Sequence, residues 1–185
     1  MQIDNHAGST KLLWVDLEMT GLDPAKHVII EVAAQVTDWD FTVLGTYAAI
    51  ISHPDDVLND AHEVAKQMHT ANGLFERIRT EGRPEREVVH EFTDFIRAQF
   101  GEEPAVLAGN SIHQDRRFIR EQWQSVENLL HYRMLDVSAW KLVMQGKYGV
   151  QFEKQEHHLA STDIGESIAE LQYYLAWLRD VENKG

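Results

Sequence analysis

The segment "LLWVDLEMTG", residues 12–21, is apolar except for two acids two positions apart, Asp16 and Glu18. In an extended chain, side chains two apart share a face, so these carboxylates project side by side. Among Leu12, Leu13, Trp14, Val15, Leu17 and Met19 they are costly to bury unless something positive binds them. Two more acids stand at element boundaries in similarly apolar surroundings. Asp115 lies in "GNSIHQDRRF", and Asp163 lies in "EHHLASTDIGES" with His158 five residues before it. Four oxygen donors and one histidine suit hard divalent cations, Mg²⁺ or Mn²⁺, whereas zinc would draw more nitrogen or sulfur. Two such ions about 3.5–4 Å apart can serve the attacking and leaving oxygens of a phosphoryl displacement. A histidine of ordinary pKa, about 6.5, suits the role of base toward water. Each residue also has a plain structural reading. Asp16 and Glu18 can line a solvated strand end, and Asp115 with Arg116 and Arg117 can form a salt-bridged face. Asp163 can face a helix dipole, and His158, like its neighbour His157, can be a loop residue. Spacing alone does not bring the three segments together and leaves both readings open.

The elements that must position these residues begin with three strands, expected at 12–18, 27–38 and 43–52. The turn "DWDF" at 38–41 pairs the second and third as a hairpin. A mostly helical stretch follows. Pro84 stands at a natural helix start, with Val88, Phe92, Phe95, Ile96 and Phe100 at helical spacing behind it. "PAVLAGN" at 104–110 reads as a short buried strand, 113–123 as a helix and "RMLDV" at 133–137 as another strand. The last 24 residues read as a long helix with Ile164, Ile168, Leu171, Leu175 and Leu178 on one stripe, N-capped by Ser161 or Thr162. This order predicts an α/β domain with a mixed sheet. The hairpin argues against an all-parallel sheet, and neither G-x-G-x-x-G nor G-x-x-x-x-G-K-[ST] occurs.

With 185 residues and no internal repeat or linker, the chain is expected to form one domain, 1–185, with its core at about 11–180. It has no cysteine, which excludes disulfides and thiolate metal sites and fits a cytoplasmic protein. No apolar run approaches the roughly 18 residues of a membrane span, and "MQIDNHAGSTK" lacks the pattern of a signal peptide. The formal charge is −13, from 17 basic and 30 acidic side chains. Such a body is a poor partner for long nucleic acid, whose binding neutralises many phosphates. A short nucleotide held by metal and a few directed contacts remains compatible with it.

"WVDLEMTGLDP", "GNSIHQDRRF", "HYRMLDVS" and "HHLASTDIGESIAEL" together resemble the oligoribonucleases, a family within the DEDDh group of 3′-to-5′ exonucleases. The similarity runs from about residue 11 to about 178. It implies a ribonuclease-H-like α/β fold, a five-stranded mixed sheet flanked by helices. It also implies hydrolysis of short oligoribonucleotides, especially dinucleotides, to nucleoside 5′-monophosphates with two divalent cations, Mg²⁺ or Mn²⁺. By that resemblance Asp16, Glu18, Asp115 and Asp163 are the metal-binding acids, and His158 is the base that takes a proton from the attacking water. Leu22 matches the leucine that wedges against the bases, and Ser111 and His69 match positions that hold the 5′ phosphate. Tyr132 and Arg133 match residues that reach the neighbouring subunit's site, so a homodimer is implied.

Two positions depart from the family's pattern. Val64 stands where the family usually places a tryptophan that stacks on a base, an interaction typically worth about 1–3 kcal/mol; His62, close by, is an alternative ring. Thr162 stands where many relatives carry a further acid, outside the four metal ligands. The alternatives are a related DEDDh exonuclease of broader length preference, acting on single-stranded DNA or RNA, and a non-catalytic nucleotide-binding protein. The complete set of acids with His158 counts against the latter.

Overall fold

The computed structural model of the chain describes residues 10–153 and 160–183, the side chains of 160–162 excepted. Three strands come first: β1 (Lys11–Met19), β2 (Ile29–Asp38) and β3 (Val43–Ile50). Four helices follow: α1 (Asp55–Asn59), α2 (Glu63–Ala71), α3 (Leu74–Glu81) and α4 (Glu85–Phe100). Then come β4 (Ala105–Gly109), α5 (His113–Gln122), α6 (Gln124–Glu127), β5 (Leu130–Asp136), α7 (Val137–Tyr148) and α8 (Ala160–Glu182).

The strands form one five-stranded sheet in the order β3-β2-β1-β4-β5. β1, β2 and β3 pair antiparallel, and β1, β4 and β5 pair parallel. The mixed sheet flanked by helices is the α/β, ribonuclease-H-like architecture expected from the sequence, hairpin included. β1 sits at the centre, covered on both faces, which is why its sequence is nearly continuous apolar. Leu13, Val15 and Leu17 pack with Val88, Phe92, Ile96, Phe118 and Ile119 from α4 and α5. Leu12 and Trp14 pack on the opposite face with Val137 of α7 and Ile164, Ile168 and Leu171 of α8. The period of two then carries Asp16 and Glu18 onto the α8 face.

Three local expectations need correction. β5 begins at Leu130, three residues before the expected start. Helix α7 (Val137–Tyr148) fills a stretch in which no element was expected; its exposed Leu142 and Val143 spoil an amphipathic pattern that would have marked it. α8 runs from Ala160, so Ser161 and Thr162 lie inside its first turn and are not its N-cap. His157 and His158 lie outside the described residues. No helix of the described residues is long and apolar enough to cross a membrane.

Candidate active site

β4 pairs with β1 only as far as Trp14 opposite Ala108. Beyond that point β1 continues without a parallel neighbour, and its last acids emerge at the carboxyl end of the parallel strands, where open α/β sheets bind ligands. Asp115, in the first turn of α5, fills the gap: its Oδ1 accepts from the amide of Leu17 at 2.9 Å. Asp163 arrives from the first turn of α8. The side chain of Asn110, just past β4, donates to Ser167 Oγ at 2.9 Å, and Ser167 Oγ donates to the Asp163 carbonyl at 3.0 Å. That chain of bonds fixes the start of α8 against the sheet.

Asp16, Glu18 and Asp163 each offer a carboxylate oxygen within 4.8 Å of the others'. Burial first, then the negative charges of Asp115, Glu18, Asp163 and Glu31 in that order, together push the Asp16 carboxyl up to about 8. Burial likewise pushes Glu18 to about 7, with Glu31, Asp163 and Asp115 contributing. Asp115 rises to about 7 through burial, against the opposing effect of the Leu17 amide. All four acids therefore feel one another across three elements. A cluster of this kind is unfavourable as carboxylates alone and favourable around cations of two positive charges. Hard oxygen donors at these positions fit Mg²⁺ or Mn²⁺.

Glu31, directly opposite Glu18 on β2, is a fifth acid that sequence reasoning missed. Its carboxyl is raised by burial and lies 3.5 Å from Arg77 Nη1. The β1–β2 register brings it there, and no local pattern in the sequence fixes that register.

The other expected residues fall at different depths. Leu22 is 72 % exposed at the tip of the β1–β2 connection. This connection is tied down by Gln122 Nε2, which donates to the carbonyls of Pro24 and His27 at 3.0 and 2.6 Å. Glycine is required at 21, where a Cβ would meet the His27 ring at 2.4 Å. Ser111 is exposed in the β4–α5 turn with a left-handed φ of 52°. Its amide donates to Asp136 Oδ1 and lies 3.0 Å from Ser138 Oγ, and its hydroxyl lies 3.1 Å from Ser138 Oγ. Ser138 and Asp136 were not singled out from the sequence; the "LDVS" pattern held both. Tyr132 and Arg133 are exposed on the edge strand β5.

His69 lies deeper than the other expected substrate contacts. It is 0 % exposed, its Nε2 is 3.0 Å from the Met19 carbonyl and 3.8 Å from Glu18 Oε2, and its ring packs on Phe75. Burial holds its pKa below the ordinary value. The neutral ring donates from Nε2 to Met19, and Nδ1 is buried without a partner. His69 thus lies beneath the end of β1 with its ring turned inward. Val64, on the outer face of α2, is 67 % exposed.

The family model for exonucleases, the ribonuclease T type, matches residues 13–171, and that span contains all four acids. The chain belongs to this exonuclease family, and the protein is a nuclease. Among its members, the oligoribonuclease of Vibrio parahaemolyticus is 43 % identical over 167 residues, covering 88 % of this chain and 92 % of that one. The oligoribonuclease of Francisella tularensis is 41 % identical over 165 residues, with 88 % and 93 % covered. Among solved structures, a product-bound exonuclease I superposes with a TM-score of 0.62 at 18 % identity, over 89 % of this chain and 43 % of that chain. Escherichia coli exonuclease I in complex with a 5cy-dT13 oligonucleotide gives 0.61 at 18 %, over 88 % and 40 %. The present chain spans about two fifths of these larger proteins, and the likeness at this identity is one of fold.

Proposed function

We propose that the protein is a 3′-to-5′ exoribonuclease of short oligoribonucleotides, dinucleotides above all, releasing nucleoside 5′-monophosphates. The observation that carries this reading is the convergence of Asp16, Glu18 and Asp163 within 4.8 Å, with Asp115 electrostatically coupled to them. The similarity to curated oligoribonucleases over 88 % of the chain supports the substrate class. In this reading the four acids hold two divalent cations, Mg²⁺ or Mn²⁺. When bound, the cations supply positive charge at the scissile phosphate and make water a better nucleophile.

His158, given by the "HHLASTD" motif, accepts the proton of the attacking water. The new P–O bond forms as the bond to the 3′ oxygen of the preceding nucleotide breaks. The terminal nucleotide leaves as a 5′-monophosphate, and the shortened chain keeps a 3′ hydroxyl. Leu22 lies against the bases, and Ser111 faces the 5′ phosphate together with Ser138. Tyr132 and Arg133 of one protomer serve its partner's site in a homodimer. His69, which the resemblance matches to a 5′-phosphate position, supports the end of β1 through the Met19 carbonyl.

A second reading, a broader exonuclease on longer single strands, is favoured by one feature. Val64 leaves an exposed aliphatic side chain where base stacking would need a ring. The solved exonuclease I complexes, with oligonucleotides such as 5cy-dT13, show that this fold takes longer strands in other proteins. A time course on 5′-labelled RNA of two and seven nucleotides with Mn²⁺, beside Asp16→Ala protein, separates the two. Fast dimer cleavage with a slow heptamer supports the first reading; equal or faster heptamer trimming supports the second. Absence of mononucleotide from either substrate refutes both.

A further inference from the structure

Strand β5 does not follow β4 evenly. Ala105 faces Leu130 and Leu107 faces Met134, so residues 131–133 oppose the single residue Val106. Such a bulge leaves backbone groups without ladder partners, and buried carbonyls need one. Arg116 supplies it. Its Nη1 donates to the carbonyls of His131 and Tyr132 at 2.8 and 3.2 Å, while Nη2 and Nε donate to Glu127 Oε1 at 3.1 and 3.4 Å.

Arg116 is buried, and Glu127 Oε2 is buried without a hydrogen-bond partner. A buried ion pair is seldom more stabilising than apolar side chains of the same volume. What this pair adds over apolar packing is direction: two donor bonds aimed at the bulge. The bulge in turn presents Tyr132, whose exposed ring is flanked by the His131 ring at 4.5 Å and the Arg133 guanidinium at 5.2 Å. The preceding residue, Asp115, bonds the amide of Leu17 on β1. One turn of α5 therefore anchors a carboxylate toward the central strand and a guanidinium toward the edge strand.

We propose that Arg116 is a positioning residue, clamping the 131–133 bulge so that Tyr132 and Arg133 are held in place to engage substrate. The proposal rests on the reading of those two residues as substrate contacts. A lysine at 116 keeps the charge opposite Glu127 but lacks the planar fork that serves Glu127 and both carbonyls together.

The test is a double-mutant cycle of Arg116→Lys and Tyr132→Ala, read as KM and kcat on a 5′-phosphorylated RNA dinucleotide with Mn²⁺, with Mn²⁺ affinity measured alongside. Arg116→Met/Glu127→Leu, an apolar replacement of the pair, tests the same clamp in case the lysine variant folds poorly. Tyr132→Ala is expected to raise KM about tenfold, the size of one lost aromatic contact to a base. Arg116→Lys, or the apolar pair, should raise KM comparably, leave kcat within about twofold and keep Mn²⁺ affinity; the KM effect of the double variant should fall short of the product of the single effects, since Arg116 acts partly through Tyr132. Multiplying KM effects, or an unchanged KM in both Arg116 variants, overturns the proposal while leaving Tyr132 as a substrate contact. An unchanged KM in Tyr132→Ala overturns the substrate-contact reading itself, and the proposal with it.

Discussion

Asp16 is the most strained of the acids, with a carboxyl raised to about 8 by burial and by its neighbours. A group whose folded-state pKa exceeds its unfolded value contributes stability that is full below the unfolded pKa. That contribution is lost as pH rises through the folded pKa. Asp16, Glu18 and Asp115, raised to about 8, 7 and 7, act in the same direction. With chelator present, the melting temperature should therefore fall as pH rises from about 4 to about 8. Saturating Mn²⁺ should remove most of that slope; scanning fluorimetry at several pH values checks both. Asp16→Asn keeps the shape and removes one charge. It should stabilise the metal-free protein at pH 8 by at least about 1 kcal/mol, or roughly 2–4 °C. The same variant should lose nearly all hydrolysis, so stability and activity move in opposite directions.

The connection between β1 and β2 owes its position to α5. Gln122 holds it through two carbonyls, and Gly21 lets the His27 ring lie against the backbone. Gln122→Ala should cost about 1 kcal/mol, as two part-buried carbonyls lose their donor. By loosening Leu22 it should raise KM severalfold with little change in kcat, which steady-state kinetics on the dinucleotide will show. Loss of kcat in equal measure would place the effect at the acids. The sequence was least legible where elements are irregular. Residues 130–132 fell outside the expected strand because 131–133 bulge out of register and neither alternate nor bury as a strand does. Helix α7 was invisible for the opposite reason: it is apolar on faces that the rest of this chain does not cover.

Those uncovered faces bear on assembly. Leu142 is 73 % exposed on α7 and Tyr132 is 72 % exposed on the edge strand beside it in sequence. Exposed apolar side chains together with an unpaired sheet edge suit an interface between copies. Sedimentation should find a dimer, and Leu142→Glu should shift it toward monomer. If sites are shared, Asp16→Ala protein mixed with Tyr132→Ala protein should recover activity, because a mixed dimer restores one complete site. No recovery despite demonstrated subunit exchange would mean that each protomer is self-sufficient. The charge of −13 predicts a further property. Long RNA should compete poorly with dinucleotide, and what binding it shows should depend only weakly on salt, because few of its phosphates are neutralised.

The sequence by itself determined the hairpin of the second and third strands and the mixed α/β class, and it marked out four acids whose role came from the family resemblance. Periodicity and carboxylates in apolar runs are local properties that survive without coordinates. Tertiary structure decided what those properties leave open. It brought Asp115 to the open edge of β1, joined Glu31 to the cluster through hairpin register and buried His69 beneath Met19. It also gave Arg116 a pair of carbonyls that no reading of "QDRRF" could supply. These are contacts between residues up to 98 positions apart in the chain. Their existence depends on which strand ends first and which helix crosses it, and no local pattern encodes that.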